Sequence, residues 1–374
     1  MKPVLFVTGH APQYRVGAFA RLHEREGIEL ALFGGRSRHG GASHSGELPF
    51  PSRQVRPREL TALSASGDYR AVVCPTGGRL APLASWLGAR RGGLPLILWA
   101  SLWAHPRSAA HALSYLPLRR LYRSADAVVT YGPHVSAYVR ARGARNVHVA
   151  PQSVDDDFWR SPQVSLPPYP AWPSAAQTRF LLAARAAPEK GARDLLGAWR
   201  ASGLAGAGAA LVLVGAGEER PASEPAPGLD DAVIGLGAVG PRELRDIYAA
   251  CDVLVVPSIA TRTFREPWGL VVNEAMARGL AVIASDAVGA AAGGLVRDGV
   301  NGLIFPAGDV EALTAALVLL GGDAELRGRM GAQGSSDVRA YSHDAWAAGF
   351  SRALSTLGLS RSPARSPAGV GSVD

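Results

Sequence analysis

Short runs of β-branched and aliphatic residues alternate with longer stretches of helical periodicity along this chain, and the alternation is played through twice. Strands separated by a helix-length crossover pair in parallel and need cover on both faces, so this pattern restricts the chain to an α/β architecture. In the first series, strands are expected near 3–8, 29–33, 70–74, 95–99, 126–131 and 146–149, with helices near 14–26, 79–91, 107–124 and 132–143. The second series places strands near 179–184, 209–214, 232–236, 252–256, 281–284 and 302–305. Its helices fall near 190–201, 241–250, 269–279, 309–320, 323–333 and 343–357. Between the two, Pro162, Pro167, Pro168, Pro170 and Pro173 crowd a stretch without periodicity that reads as a semi-rigid linker. With 374 residues the chain exceeds the ~250–300 at which single cores stop growing. The expectation is therefore two doubly wound parallel-sheet domains in tandem, 1–160 and 161–342, whose ligands lie beyond the carboxyl ends of the strands in a cleft between them.

Charge divides unevenly between these halves. Through position 165 there are 21 basic against 10 acidic residues, a surplus of eleven, whereas the remainder holds 18 against 21. All but two of the 39 basic residues are arginine, which makes the one interior lysine, Lys190, conspicuous. Cys74 and Cys251 each sit inside an apolar run and offer neither a disulfide framework nor a metal-ligand cluster. No stretch reaches the ~20 apolar residues of a transmembrane helix, and Val4–Thr8 is too short for a signal segment. A soluble cytoplasmic protein is expected, able to dock on a membrane surface.

Two segments carry candidate chemistry. From Pro257 to Gly279 a buried strand gives way to a polar loop with Glu266, and Gly269 opens a helix bearing Glu274. Carboxylates accept hydrogen bonds from vicinal hydroxyls, as on a sugar or a ribose. The amides of Gly269 and Leu270, at the helix start, suit an anion between the two acids. Upstream, Arg185 and Lys190 follow a strand end and can neutralise a diphosphate leaving group, one as a planar fork and the other as a point charge.

These residues also carry a resemblance. Glu266 and Glu274 have the spacing of the E-x7-E motif of retaining GT-B glycosyltransferases, and the run from Val233 to Leu313 is similar to glycosyltransferase family 4. Further likeness lies in Gly237–Leu244, Cys251–Ser258, Asp298–Leu303, the Arg185/Lys190 pair and Val149–Asp155, where Gln152 replaces the usual Asn. The resemblance implies a GT-B fold and a retaining, metal-independent hexosyltransferase using a nucleoside-diphosphate sugar. No cofactor or metal is expected, and the acceptor hydroxyl belongs to a glycan, a lipid-linked glycan or a small molecule. It also implies that Glu274 takes the ribose and Glu266 the transferred sugar, with Trp268 at the donor in place of the usual Phe. His105 would lie near the donor sugar, and helix 343–357 would return to the first domain, followed by a disordered tail over 358–374. Gly9, Tyr14 and Arg15, in the first strand–helix loop, are acceptor-side candidates. A sugar-nucleotide epimerase or hydrolase on the same fold, or a silent sugar-nucleotide-binding regulator, are the alternative readings.

Other signals have plainer explanations. Gly235, Gly237 and Gly240 fit G-x-G-x-x-G but have no acid at the end of a strand ~20 residues on, as a dinucleotide site requires, since Asp252 begins its strand. Asp155-Asp156-Asp157 reads as a turn or helix cap rather than a metal motif. His39 and His44 in a Gly/Ser/Arg loop, and the Pro-rich segment 218–227, read as surface loops. No basic stretch interleaved with aromatics supports nucleic acid as a partner. Arg107, Arg119, Arg120 and Arg123 around an apolar stretch, 109–121, have two readings: contact with an anionic membrane, or ordinary dipole compensation at a helix end.

Overall fold

The computed structural model describes residues 1–34, 47–78, 80–162, 172–215 and 232–361. Its first sheet contains β1 (Val4–Thr8), β2 (Ile28–Leu32), β3 (Ser52–Gln54), β4 (Ala71–Pro75), β5 (Leu96–Ala100), β6 (Ala127–Thr130) and β7 (Val147–Val149), in the spatial order β3-β2-β1-β4-β5-β6-β7. The second contains β8 (Thr178–Ala183), β9 (Ala209–Val214), β10 (Val233–Leu236), β11 (Val253–Val256), β12 (Ala281–Ser285) and β13 (Gly302–Phe305), in the order β10-β9-β8-β11-β12-β13. Every ladder in both sheets is parallel.

The two-residue period of a strand explains the layering. Along β1, Val4 and Phe6 enter one apolar layer while Leu5 and Val7 enter the layer on the other face. Along β8, Phe180 and Leu182 divide from Leu181 and Ala183 in the same way. Strands buried on both faces read as continuous apolar runs, which is why they were legible in the sequence. The expected strands and helices are all present, with ends shifted by a few residues. The elements not anticipated are β3, the helices Leu60–Ala65, Asp156–Arg160 and Gly289–Ala292, and the single 3-10 turns Pro57–Glu59, Pro188–Lys190 and Val338–Ala340. Each spans six residues or fewer, too short to display a period.

The final helix, His343–Thr356, packs on the first sheet. Ser342 caps it, accepting from the Ala345 amide at 3.2 Å, and Trp346 and Phe350 join Phe6, Phe19 and Trp99 in one aromatic cluster. The expected disorder of 358–374 needs correction at its start. The buried Glu26 carboxylate receives Arg70 Nη2 at 3.0 Å and the Arg361 amide at 2.9 Å, and Arg70 Nε donates to Leu359 O at 2.8 Å. A carboxylate withdrawn from water requires such donors, and Ser360 Oγ and the Arg361 amide supply two of them. The rest of that tail, most of the Pro-rich linker, the 218–227 segment, His39 and His44 lie outside the described residues.

Candidate active site

Because all strands run parallel, the loops leaving β8, β11 and β12 share one edge of the second sheet, at the point where strand order reverses. The chain leaves β8 through Arg185 and turns over Pro188–Lys190 to Gly191. Gly191 has φ +71°, and a Cβ there would lie 1.9 Å from Pro257 O, so a side chain would prevent the exits of β8 and β11 from pressing together. Ile259 N donates to Glu189 O at 3.0 Å across the same seam. This close approach lets Lys190 Nζ donate to Glu266 Oε2, with side chains 17% and 8% exposed. Ser258 Oγ donates to the same oxygen at 3.4 Å and is itself braced by Ser285 Oγ, which donates to Ser258 O. Two residues singled out separately in the sequence therefore meet, with two serines behind them.

Glu266 bridges to Val288, and Gly269, at φ +92°, turns the chain into the helix Leu270–Ala277, whose start carries no side-chain cap. Within that helix, Glu274 accepts from Tyr248 Oη at 2.9 Å, and burial pushes its carboxyl up to about 7. Arg185 does not pair with a site residue; its guanidinium donates to Glu189, leaving Nε buried without a partner. Trp268, expected as a donor-facing ring, is instead 3% exposed and packed between His134 and Tyr341, with Nε1 donating to Asn273 Oδ1 at 2.7 Å. An indole N–H taken out of water needs an acceptor, and Asn273 provides it.

The loops after β5 and β6 bring the first half to the same place. Trp103 Nε1 donates to Glu266 O at 3.1 Å, His134 Nε2 donates to Pro267 O at 3.3 Å, and Arg107 N donates to Arg262 O at 2.6 Å. His105, the expected imidazole at the donor, is directed elsewhere: its Nε2 lies 2.8 Å from His111 O and its ring packs edge-on to Tyr115. The side chains of these two loops that donate to the second half are those of Trp103 and His134, which lie two before and 29 after the histidine that the resemblance favoured. Burial holds the His134 pKa below its ordinary value, so the ring is neutral and its Nε2 carries the proton donated to Pro267.

Among the acceptor-side candidates, Gly9 stands in the turn after β1 beside the Phe33 ring, and Tyr14 is 40% exposed. Arg15 is buried rather than open to a ligand. Its guanidinium lies between the rings of Tyr14, Trp99 and Trp346 and donates to Gln152 Oε1 at 2.5 Å. Gln152 O in turn accepts from Asn273 Nδ2 at 3.0 Å. A buried chain of hydrogen bonds, Arg15–Gln152–Asn273–Trp268, thus ties the first helix of the chain to the helix that carries Glu274. Asp155 caps the helix Asp156–Arg160, accepting from Phe158 N at 3.0 Å, as its sequence context suggested.

The edge of the second sheet therefore carries a half-buried cation, a buried carboxylate in contact with it, and a second, easily protonated carboxylate on the following helix. Such a set can accept sugar hydroxyls and offset phosphate charge.

Comparison with known proteins bears on the family and the fold. The sequence pattern of the family described as Glycosyl transferases group 1 matches residues 177–323. A D-inositol 3-phosphate glycosyltransferase of Xylanimonas cellulosilytica is 30% identical over 298 residues, covering 71% of this chain and 67% of that protein. A phosphatidyl-myo-inositol mannosyltransferase of Mycobacterium leprae is 33% identical over 198 residues, and the match spans 53% of this chain but only about half, 51%, of the relative. With another D-inositol 3-phosphate glycosyltransferase, from Nocardia farcinica, the match spans 26% of the relative. Among solved structures, Anabaena HepE in complex with UDP and glucose superposes with a TM-score of 0.71 at 16% identity, covering 96% of this chain and all of that one. The two parallel sheets and this superposition are those of the GT-B fold, and the chain belongs to the group 1 glycosyltransferases.

Proposed function

We propose that the protein transfers a hexose from a nucleoside-diphosphate sugar to an acceptor hydroxyl, with retention of anomeric configuration and without a metal ion. The observation that carries this reading is the contact between Lys190 and Glu266, 76 residues apart in sequence, at the carboxyl edge of the second sheet. In the reaction, the bond from the anomeric carbon to the β-phosphate oxygen breaks and its electron pair stays on the phosphate. The acceptor oxygen bonds to the anomeric carbon from the same face and passes its proton to a phosphate oxygen. Lys190 exchanges Glu266 for the diphosphate and stabilises the charge that develops there, while Arg185, with one unpartnered buried N–H, adds a second cation. Glu266, freed from Lys190, accepts hydroxyls of the sugar, and Glu274 accepts those of the ribose. Cationic side chains in this role replace the charge that a divalent ion supplies in metal-dependent transferases.

The relatives' names include mannosyl and inositol chemistry, one of them GDP-mannose-dependent, and HepE was solved with UDP and glucose, which makes GDP-mannose and UDP-glucose the first donors to try. A thermal-shift screen of UDP-, GDP-, ADP- and dTDP-sugars identifies the donor, since a bound ligand raises the midpoint by mass action. Transfer assays with that donor and inositol phosphates or lipid-linked polyols follow. If no nucleotide sugar shifts the midpoint or yields free nucleoside diphosphate, the reading is wrong.

A further inference from the structure

Two helices of the first half, Ala81–Gly92 and Ala109–Ser124, present apolar residues to solvent where a helix on a soluble α/β domain ordinarily turns polar. On the first, Leu83 and Leu87 are 42% and 39% exposed, and Leu80, one turn earlier, is 63% exposed. On the second, Leu113 and Leu116 are 82% and 68% exposed. Each set is spaced by three or four residues and so forms a stripe, and one turn beyond each stripe stands an arginine, Arg90 or Arg120.

The stripes belong to one surface. Trp86 lies between the helices, with Nε1 donating to Ser124 Oγ at 2.9 Å, and the guanidinium carbons of Arg90 and Arg120 lie 5.7 and 5.9 Å from its ring centre. Neither helix contains an acidic residue, and together they carry Arg90, Arg91, Arg119, Arg120 and Arg123. Single exposed leucines are ordinary, but two adjoining stripes mark an interaction face. Its charge selects the occupant. A second copy would set arginine against arginine, whereas an anionic lipid surface takes leucines into the acyl boundary and arginines at the phosphates. The loop preceding the second helix also reaches the other half, through Arg107 N to Arg262 O and Trp103 Nε1 to Glu266 O, so the face adjoins the mouth of the cleft.

We propose that these two helices dock the protein peripherally on an anionic membrane, with the cleft opening beside the lipid surface. The proposal concerns where the protein sits, so vesicle binding tests it independently of sugar transfer. The full chain is sedimented with vesicles of equal parts phosphatidylglycerol and phosphatidylcholine, and separately with phosphatidylcholine alone. Binding is expected only to the anionic vesicles and is expected to fall as salt is raised. Leu113→Gln/Leu116→Gln and Arg119→Gln/Arg120→Gln are each expected to weaken it at least about tenfold. An unchanged far-UV circular dichroism spectrum and thermal midpoint show that each variant is folded. Where a double variant does not fold, the single Arg120→Gln and the salt dependence of the parent decide. Equal binding of parent and variants, equal binding to both vesicle types, or a dimer that Leu113→Gln/Leu116→Gln dissociates while no vesicle binding occurs would each overturn the proposal.

Discussion

Where the second half brings a lysine, two carboxylates and a serine to the ends of β8 and β11, the first half meets them with indole and imidazole rings from the loops after β5 and β6. The charged set is local to one domain and braced by residues of that domain's own strand ends. The neutral set acts through main-chain contacts to Glu266 and Pro267, so it senses how closely the halves approach. The difference suggests a division in which one half supplies the electrostatics of bond breaking and the other fixes position.

The largest test of that division lies on the charged side. Lys190→Ala and Glu266→Ala are each expected to lower kcat/KM by about 10²- to 10³-fold, the usual effect of removing a preorganised electrostatic group, while far-UV circular dichroism stays unchanged. Near-parental turnover in both variants would remove the site assignment. Next comes the buried chain joining the halves. Asn273→Ala leaves the Trp268 N–H and Gln152 O unpaired and should cost about 1–3 kcal/mol of stability in urea denaturation. Loss of donor affinity without loss of stability would instead put Asn273 at the ligand.

An intermediate effect concerns Glu274. Its folded pKa, about 7, lies above the unfolded value of 4.5, so the folded chain retains a proton that the unfolded chain releases between these values. Its burial therefore costs stability increasingly as pH rises from 4.5 to about 7, and by a constant amount above. Glu274→Gln should be more stable than the parent at pH 8, by an amount on the order of 1–2 kcal/mol that vanishes near pH 4.5. If ribose hydroxyls take the ionised carboxylate, donor affinity of the parent rises through pH 7 and that of the variant does not. Calorimetric titration at several pH values separates the two cases.

The smallest effect belongs to the neutral side. Trp103→Phe keeps the ring and removes one N–H donated to Glu266 O, so about a tenfold or smaller change in kcat/KM is expected. A change as large as that of Lys190→Ala would place Trp103 in the chemistry and dissolve the contrast between the halves.

Glu266, Glu274, Arg185 and Lys190 were legible because a motif ties residue type to spacing within a few turns of chain. Trp103, His134, Tyr248 and Asn273 were not, since each acquires its partner across 26 or more residues, except the Asn273–Trp268 bond, and nothing local distinguishes them from packing residues. His105 illustrates the converse. Its place in the sequence suited a donor contact, but the start of the helix Ala109–Ser124 offered its ring a carbonyl closer by.

By itself the sequence determined the two parallel sheets, because strands buried on both faces must be apolar throughout and parallel neighbours need helical crossovers between them. It also determined which acids and cations stand at the strand ends. Only the tertiary structure decided which of these meet. Lys190 reaches Glu266 because Gly191 allows two strand exits into contact, and Arg15 is withdrawn from the cleft because three aromatic rings and Gln152 enclose it. Periodicity acts over a few residues of chain, whereas the pairing of buried charges depends on the approach of segments that the chain order leaves far apart.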